Sequence, residues 1–156
     1  TLAGAITENH YIEFSFEAAS GFEFNLDSLE FLGQSTSTGA DDVAFMTSVD
    51  GFTSGDELSS LTGISGGTGG FDTDSSGFGS GTISLAGSQY QGLSQISFRL
   101  YGWNTSGSTG DTYLRSLSGD DVTLSGSVSA VPEPSAYALL AGLFGLTWVA
   151  LRRRRA

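Results

Sequence analysis

The chain has 156 residues, no cysteine and no lysine, and carries 17 acids against 6 arginines. That length suits one ordinary domain with a short appendage rather than two domains, and without cysteine neither disulfides nor thiolate metal sites can form. Residues 1–131 hold sixteen of the acids with only Arg99 and Arg115, a formal balance of −14, which repels phosphate backbones and speaks against nucleic-acid binding.

In chain order, the first clear pattern is alternation with period two, the mark of a half-buried strand. Ile12, Phe14 and Phe16 alternate with Glu13, Ser15 and Glu17, and Phe22, Phe24 and Leu26 alternate with Glu23, Asn25 and Asp27. Residues 29–32, 43–49, 82–85, 96–103, 112–117 and 122–128 are further strand candidates, separated by turns rich in Gly, Ser, Thr and Asp. No stretch before residue 131 keeps a helical period for three turns. The predicted fold is therefore all-β over residues 1–130, an antiparallel two-sheet sandwich of jelly-roll-like type. Residues 51–81 are the least patterned part and read as a long surface loop pinned by Leu58, Leu61, Ile64, Phe71 and Phe78.

Several groups in this region carry candidate chemistry. Asp72, Asp74 and Ser76 occupy the first, third and fifth places of a calcium-loop spacing, with Gly77 at the sixth. The twelfth place falls on Ile83 instead of a bidentate Glu, so an EF-hand is excluded and a different calcium site is what those three residues would form. Gly63-Ile64-Ser65-Gly66-Gly67 fits the nucleophile-elbow pattern, yet its flanks are loop-like and His10 is the only histidine available as a base. Asp41-Asp42, Asp56-Glu57 and Asp120-Asp121 are carboxylate pairs of the kind glycoside hydrolysis uses, although neighbours on a strand point to opposite faces. Tyr101 and Trp103, with Tyr90 and Tyr113, are the candidates for an aromatic platform that would stack on sugar rings.

The last 26 residues are different in kind. Val131-Pro132-Glu133-Pro134-Ser135 contains the only two prolines, whose spacing predicts an extended, accessible segment. Residues 136–151 follow without a charge, sixteen residues spanning about 24 Å as a helix, against a hydrocarbon core near 30 Å. Tyr137 and Trp148 stand near the two ends, and Arg152, Arg153, Arg154 and Arg155 close the run. The expectation is a single transmembrane helix over 136–151 with a basic cytoplasmic stop at 152–156 and the domain outside.

Pro132-Glu133-Pro134, a short apolar helix and a terminal arginine cluster, in that order, resemble the PEP-CTERM sorting signal of Gram-negative bacteria. The resemblance covers residues 131–156. It implies an exported protein that is the substrate of exosortase, a membrane-embedded transpeptidase, often in company with exopolysaccharide. It also implies an export leader; residues 1–9 show none, so the expectation is a leader already removed or a domain that is N-terminally incomplete. Ser48-Val49-Asp50-Gly51-Phe52, Phe98-Arg99-Leu100-Tyr101-Gly102-Trp103 and Val122-Thr123-Leu124-Ser125-Gly126 are similar to segments of β-sandwich ectodomains of such proteins, a likeness that brings no catalytic residues with it. The leading expectation is a non-enzymatic structural or adhesive ectodomain, delivered to the cell envelope or exterior and needing no cofactor. The alternatives are a carbohydrate-binding module, calcium-assisted through Asp72, Asp74 and Ser76, and a glycoside-active enzyme.

Overall fold

The computed structural model describes residues 1–64, 78–79, 82–114, 120, 122–132 and 134–153. Its strands are β1 (Tyr11–Glu17), β2 (Phe22–Ser35), β3 (Asp42–Thr47), β4 (Ser59–Thr62), β5 (Phe78–Gly79), β6 (Ile83–Ser84), β7 (Gln95–Trp103), β8 (Thr112–Leu114) and β9 (Val122–Ala130). Helix α1 (Leu2–Glu8) precedes them and helix α2 (Pro134–Arg153) follows. Every strand pairing is antiparallel, so the all-β expectation holds for the domain.

The first sheet runs β1-β7-β3-β4. Alternation dictates its two faces. Phe14, Val43, Phe45, Ile96, Phe98 and Leu100 face one way into the main core, while Tyr11, Met46 and Tyr101 face the other. Strand β3 is buried on both faces from Val43 to Thr47, which is why its sequence reads as a continuous apolar run rather than an alternation.

Strand β2 is the hub of the second sheet. Leu29 pairs with both Ile83 and Leu124, and Gly33 with both Phe78 and Leu114, so both its edges are occupied. The sequence suggests two strands here because the buried parity changes: Phe24 and Leu26 face the core on even numbers, Leu29 and Phe31 on odd ones. The structure makes this one strand of 14 residues, with a register shift between Leu26 and Ser28 that inserts one extra residue. Opposite the shift stands Gly126, where an added Cβ would lie 2.4 Å from the Asn25 carbonyl oxygen. Glycine is therefore required there by the close approach of β2.

The two sheets face each other across a single core, a sandwich-like arrangement in which Phe31 of β2 stacks on Phe45 of β3 at 4.6 Å between ring centroids. Phe14 and Phe98 extend the aromatic cluster at 5.3 Å. Among the described residues no buried side-chain nitrogen or oxygen lacks a hydrogen-bond partner.

Two elements depart from the expectation. Part of the supposed loop over 51–81 is ordered as edge strand β4, which pairs with β3, and its anchors Leu58, Leu61 and Ile64 do pack on the core. Phe71 lies outside the described residues. Helix α1 was not expected. It is only seven residues long, too short for a three-turn search, but its caps are legible: Thr1 Oγ1 accepts from the Gly4 amide at 3.2 Å, and Asn9 ends it in the left-handed conformation at φ 57°. Its Ala5 is buried with Met46 and Tyr101, so α1 covers the outer face of the first sheet.

Candidate functional site

The tail begins where the second sheet ends. Val131 donates its amide to the Gly21 carbonyl at 2.8 Å, and Pro132 is exposed. Helix α2 starts at Pro134 rather than at residue 136, so Pro134 belongs to the helix and not to the extended entry. A first-turn proline suits a helix, since its missing N–H has no intrahelical partner there and its φ is already helical. Glu133, Arg154 and Arg155 lie outside the described residues; Arg152 and Arg153 are exposed in the last turn, where cations favour the helix dipole.

The described large side chains of α2 are exposed: Leu139 (78%), Leu140, Leu143, Phe144, Leu146 and Trp148. The Thr147 hydroxyl donates to the Phe144 carbonyl at 2.9 Å, so the helix satisfies even this polar group within itself. Among the described residues no helix is long and apolar enough to cross a membrane. The run 136–151, expected as a transmembrane span, is helical and lies within α2.

Within the domain, the aromatic platform is corrected. Tyr101 is 0% exposed, packed edge-on against Tyr11 at 5.3 Å in the cluster roofed by α1, and Trp103 is half-buried against the same cluster. Tyr90 is buried, and Tyr113 gives its hydroxyl to Gln34 at 2.9 Å. Tyr101 therefore offers no free ring face for stacking on a sugar.

The carboxylates serve local structure. Asp42 accepts from Asn104 Nδ2 at 3.2 Å, and Glu57 Oε1 accepts from the Gly55 amide at 2.9 Å. Asp120 is exposed, and Asp121 lies outside the described residues. Among the described residues no group of three His, Asp or Glu is placed to hold a metal. Asp72, Asp74 and Ser76 fall outside the described residues, as does Ser65 of the glycine-flanked serine pattern. His10 is exposed, 3.5 Å from Glu8, and lines a shallow groove of about 280 Å³ with Tyr11, Ile12 and Leu100.

Two polar constellations escaped sequence reasoning. Arg99 lies between the rings of Tyr11 and Phe52, at 4.1 and 3.9 Å from their centroids. Its Nε donates to Glu13 at 2.5 Å and its guanidinium also reaches the Tyr101 hydroxyl at 3.2 Å. The signal was the cross-strand pair Glu13–Arg99, readable only once β1 and β7 are in register. Asp50 Oδ2 accepts from Thr47 at 3.0 Å and from Tyr90 at 3.1 Å. Burial, and then the hydrogen bond to Asp50 and its charge, push the Tyr90 phenol above its ordinary value of 10.0. Both arrangements brace loops against sheets, and neither exposes a reactive atom to a cleft.

No family model matches the chain, and neither the curated proteins nor the solved structures contain a match to it.

Proposed function

We propose that this chain is an exported bacterial envelope or extracellular-matrix protein whose residues 131–156 are a PEP-CTERM-type sorting signal, processed by an exosortase, and whose β domain is the cargo. The observation that carries the reading is the ordered triad at the C-terminus: Pro132-Glu133-Pro134, the uncharged run 136–151, and Arg152 to Arg155. Its support from the fold is that α2 occupies that run with its described large side chains exposed, leaving them free for an apolar environment.

The uncharged part of α2, residues 134–151, is about 27 Å long, slightly short of a core near 30 Å. Local thinning of the bilayer and snorkelling of Arg152 and Arg153 accommodate such a mismatch at modest cost. A marginal anchor suits an intermediate held at the inner membrane, domain outward, until the tail is processed and the domain passes to the envelope or exterior. The domain, a sandwich of jelly-roll-related kind, then acts structurally or adhesively, with exopolysaccharide as its setting and no catalysis of its own. The enclosed Tyr101 ring and the local roles of Asp42 and Glu57 favour this over a sugar-binding or sugar-cleaving reading.

Grafting residues 131–156 onto an exported reporter tests the reading. In a host with an exosortase the reporter should leave the inner membrane, and in the same host lacking that enzyme it should stay. Identical fractionation in both strains would sink the proposal.

A further inference from the structure

Strand β9 is the longest free sheet edge among the described residues. It pairs with β2 along one side and with no other described strand, so half of its backbone N–H and C=O groups face outward. Such an edge is a template for another chain, and proteins ordinarily blunt it with charge, proline or brevity. The other edges are blunted in those ways: β1 carries Glu13 and Glu17, β4 has four residues and follows Glu57, and β5 and β6 have two residues each. The nine residues of β9, Val-Thr-Leu-Ser-Gly-Ser-Val-Ser-Ala, contain no charge and no proline, in a domain whose formal balance is −14.

The sequence of β9 is also a palindrome by residue type about Gly126. Antiparallel pairing with itself sets Val122 opposite Ala130, Thr123 opposite Ser129, Leu124 opposite Val128, and Ser125 opposite Ser127, with Gly126 on the two-fold axis. Apolar residues meet apolar ones on the core side, and hydroxyls meet hydroxyls on the outer side, where they can hydrogen-bond across the strands. Val128 is 69% exposed and, with Phe16, Phe24 and Leu124, lines an apolar groove of about 220 Å³ between β1 and β9. In the paired register Leu124 of a second copy falls across from that valine.

Charge decides the identity of the partner. Two copies this acidic repel each other over most of their surfaces, and the nine residues of β9 give them a stretch along which no acid of the strand faces another. Asp120 and Asp121 before the strand and Glu133 after it fall beyond the nine paired residues, and on the neighbouring strand β2 Glu23 and Glu30 sit beside Ser129 and Thr123. Across the interface these β2 acids are three strand spacings apart, about 14 Å, beyond a Debye length of about 8 Å at physiological ionic strength.

We infer that β9 is a homodimerisation strand: two copies of this chain join edge to edge, antiparallel about Gly126, into one sheet continuous across both domains. The contact is isologous, so it closes at two copies and does not propagate. It does not depend on the sorting function assigned to the tail.

The natural chain has no cysteine, which makes disulfide mapping clean. Full-length chains carrying Ser125→Cys and full-length chains carrying Ser127→Cys, mixed in detergent micelles and oxidised, should cross-link to each other. Chains carrying Ser125→Cys alone should cross-link several-fold less. Absence of the mixed disulfide, or equal yields in both, overturns the proposed register. A charge exchange separates β9 pairing from association through α2. By sedimentation in the same micelles, Ser125→Glu/Ser127→Glu should be monomeric, because the new acids oppose one another. Ser125→Glu/Ser127→Lys should restore the dimer. Both positions are exposed, so the fold should tolerate either variant. Unchanged association of the double-Glu variant would overturn the dimer.

Discussion

Arg99 binds together three parts of the chain that are distant in sequence: β1 through Glu13 and Tyr11, β7 through Tyr101, and the loop after β3 through Phe52. Phe52 holds φ at 55°, a left-handed conformation costing about 1–2 kcal/mol for a residue with a side chain, and stacking on the guanidinium offsets it. Arg99→Met should lower stability by about 1–2 kcal/mol in urea denaturation. Arg99→Lys should recover only part of this, because an ammonium cannot stack its plane on both rings while donating to Glu13. Tyr90 gives a pH dependence with a definite sign. A folded-state phenol raised above 10.0 leaves stability intact below pH 10 and removes it as pH climbs from there towards the folded value. Denaturation at pH 9 and at pH 11 should show the natural protein losing more than Tyr90→Phe; equal losses would contradict the assignment. None of these partnerships was readable in the sequence, since Arg99 meets Glu13 only through strand register and Tyr90 meets Asp50 only through tertiary packing. The burial of Tyr101 was hidden likewise: it lies on the face of β7 away from the main core, and only α1, packed there through Ala5, makes that face a second interior.

At the scale of elements, β2 shows how far periodicity carries. Its two apolar runs were legible, but a break in parity looks the same in sequence whether the chain turns or bulges, and here it bulges. The bulge binds the identity of Gly126 to the backbone of β2. Gly126→Ala should cost about 1–3 kcal/mol through forced displacement at Asn25, seen as a lowered Tm, whereas Ser125→Ala beside it should be nearly neutral. Strand β4 was missed because Ser59-Ser60-Leu61-Thr62 has one large apolar side chain, and its strand character comes from pairing with the buried β3 rather than from propensity. Helix α1 was missed because two turns are too few for a periodic signal, although Thr1 and Asn9 cap it at both ends.

The molecule as a whole divides into a sandwich-like domain and an apolar helix whose described large side chains are exposed. Phe45, at the contact between the sheets, should cost about 3–5 kcal/mol when changed to Ala, enough to unfold a domain of ordinary stability at moderate temperature. Truncation after Pro132 should leave the domain's Tm unchanged and improve its solubility; a marked fall in Tm would show that α2 packs on the domain. For the tail, the helix over the uncharged run was legible, whereas its reading as a sorting signal rests on composition and order along the chain rather than on proximity in the fold. The central claim is that this tail is a processed sorting signal, and the intact mass of the exported protein from a host bearing an exosortase tests it most directly. The natural chain should lack the mass of the apolar helix and arginine cluster, while the Pro132→Ala/Glu133→Ala/Pro134→Ala variant should retain both; full removal of the tail from that variant would contradict the account.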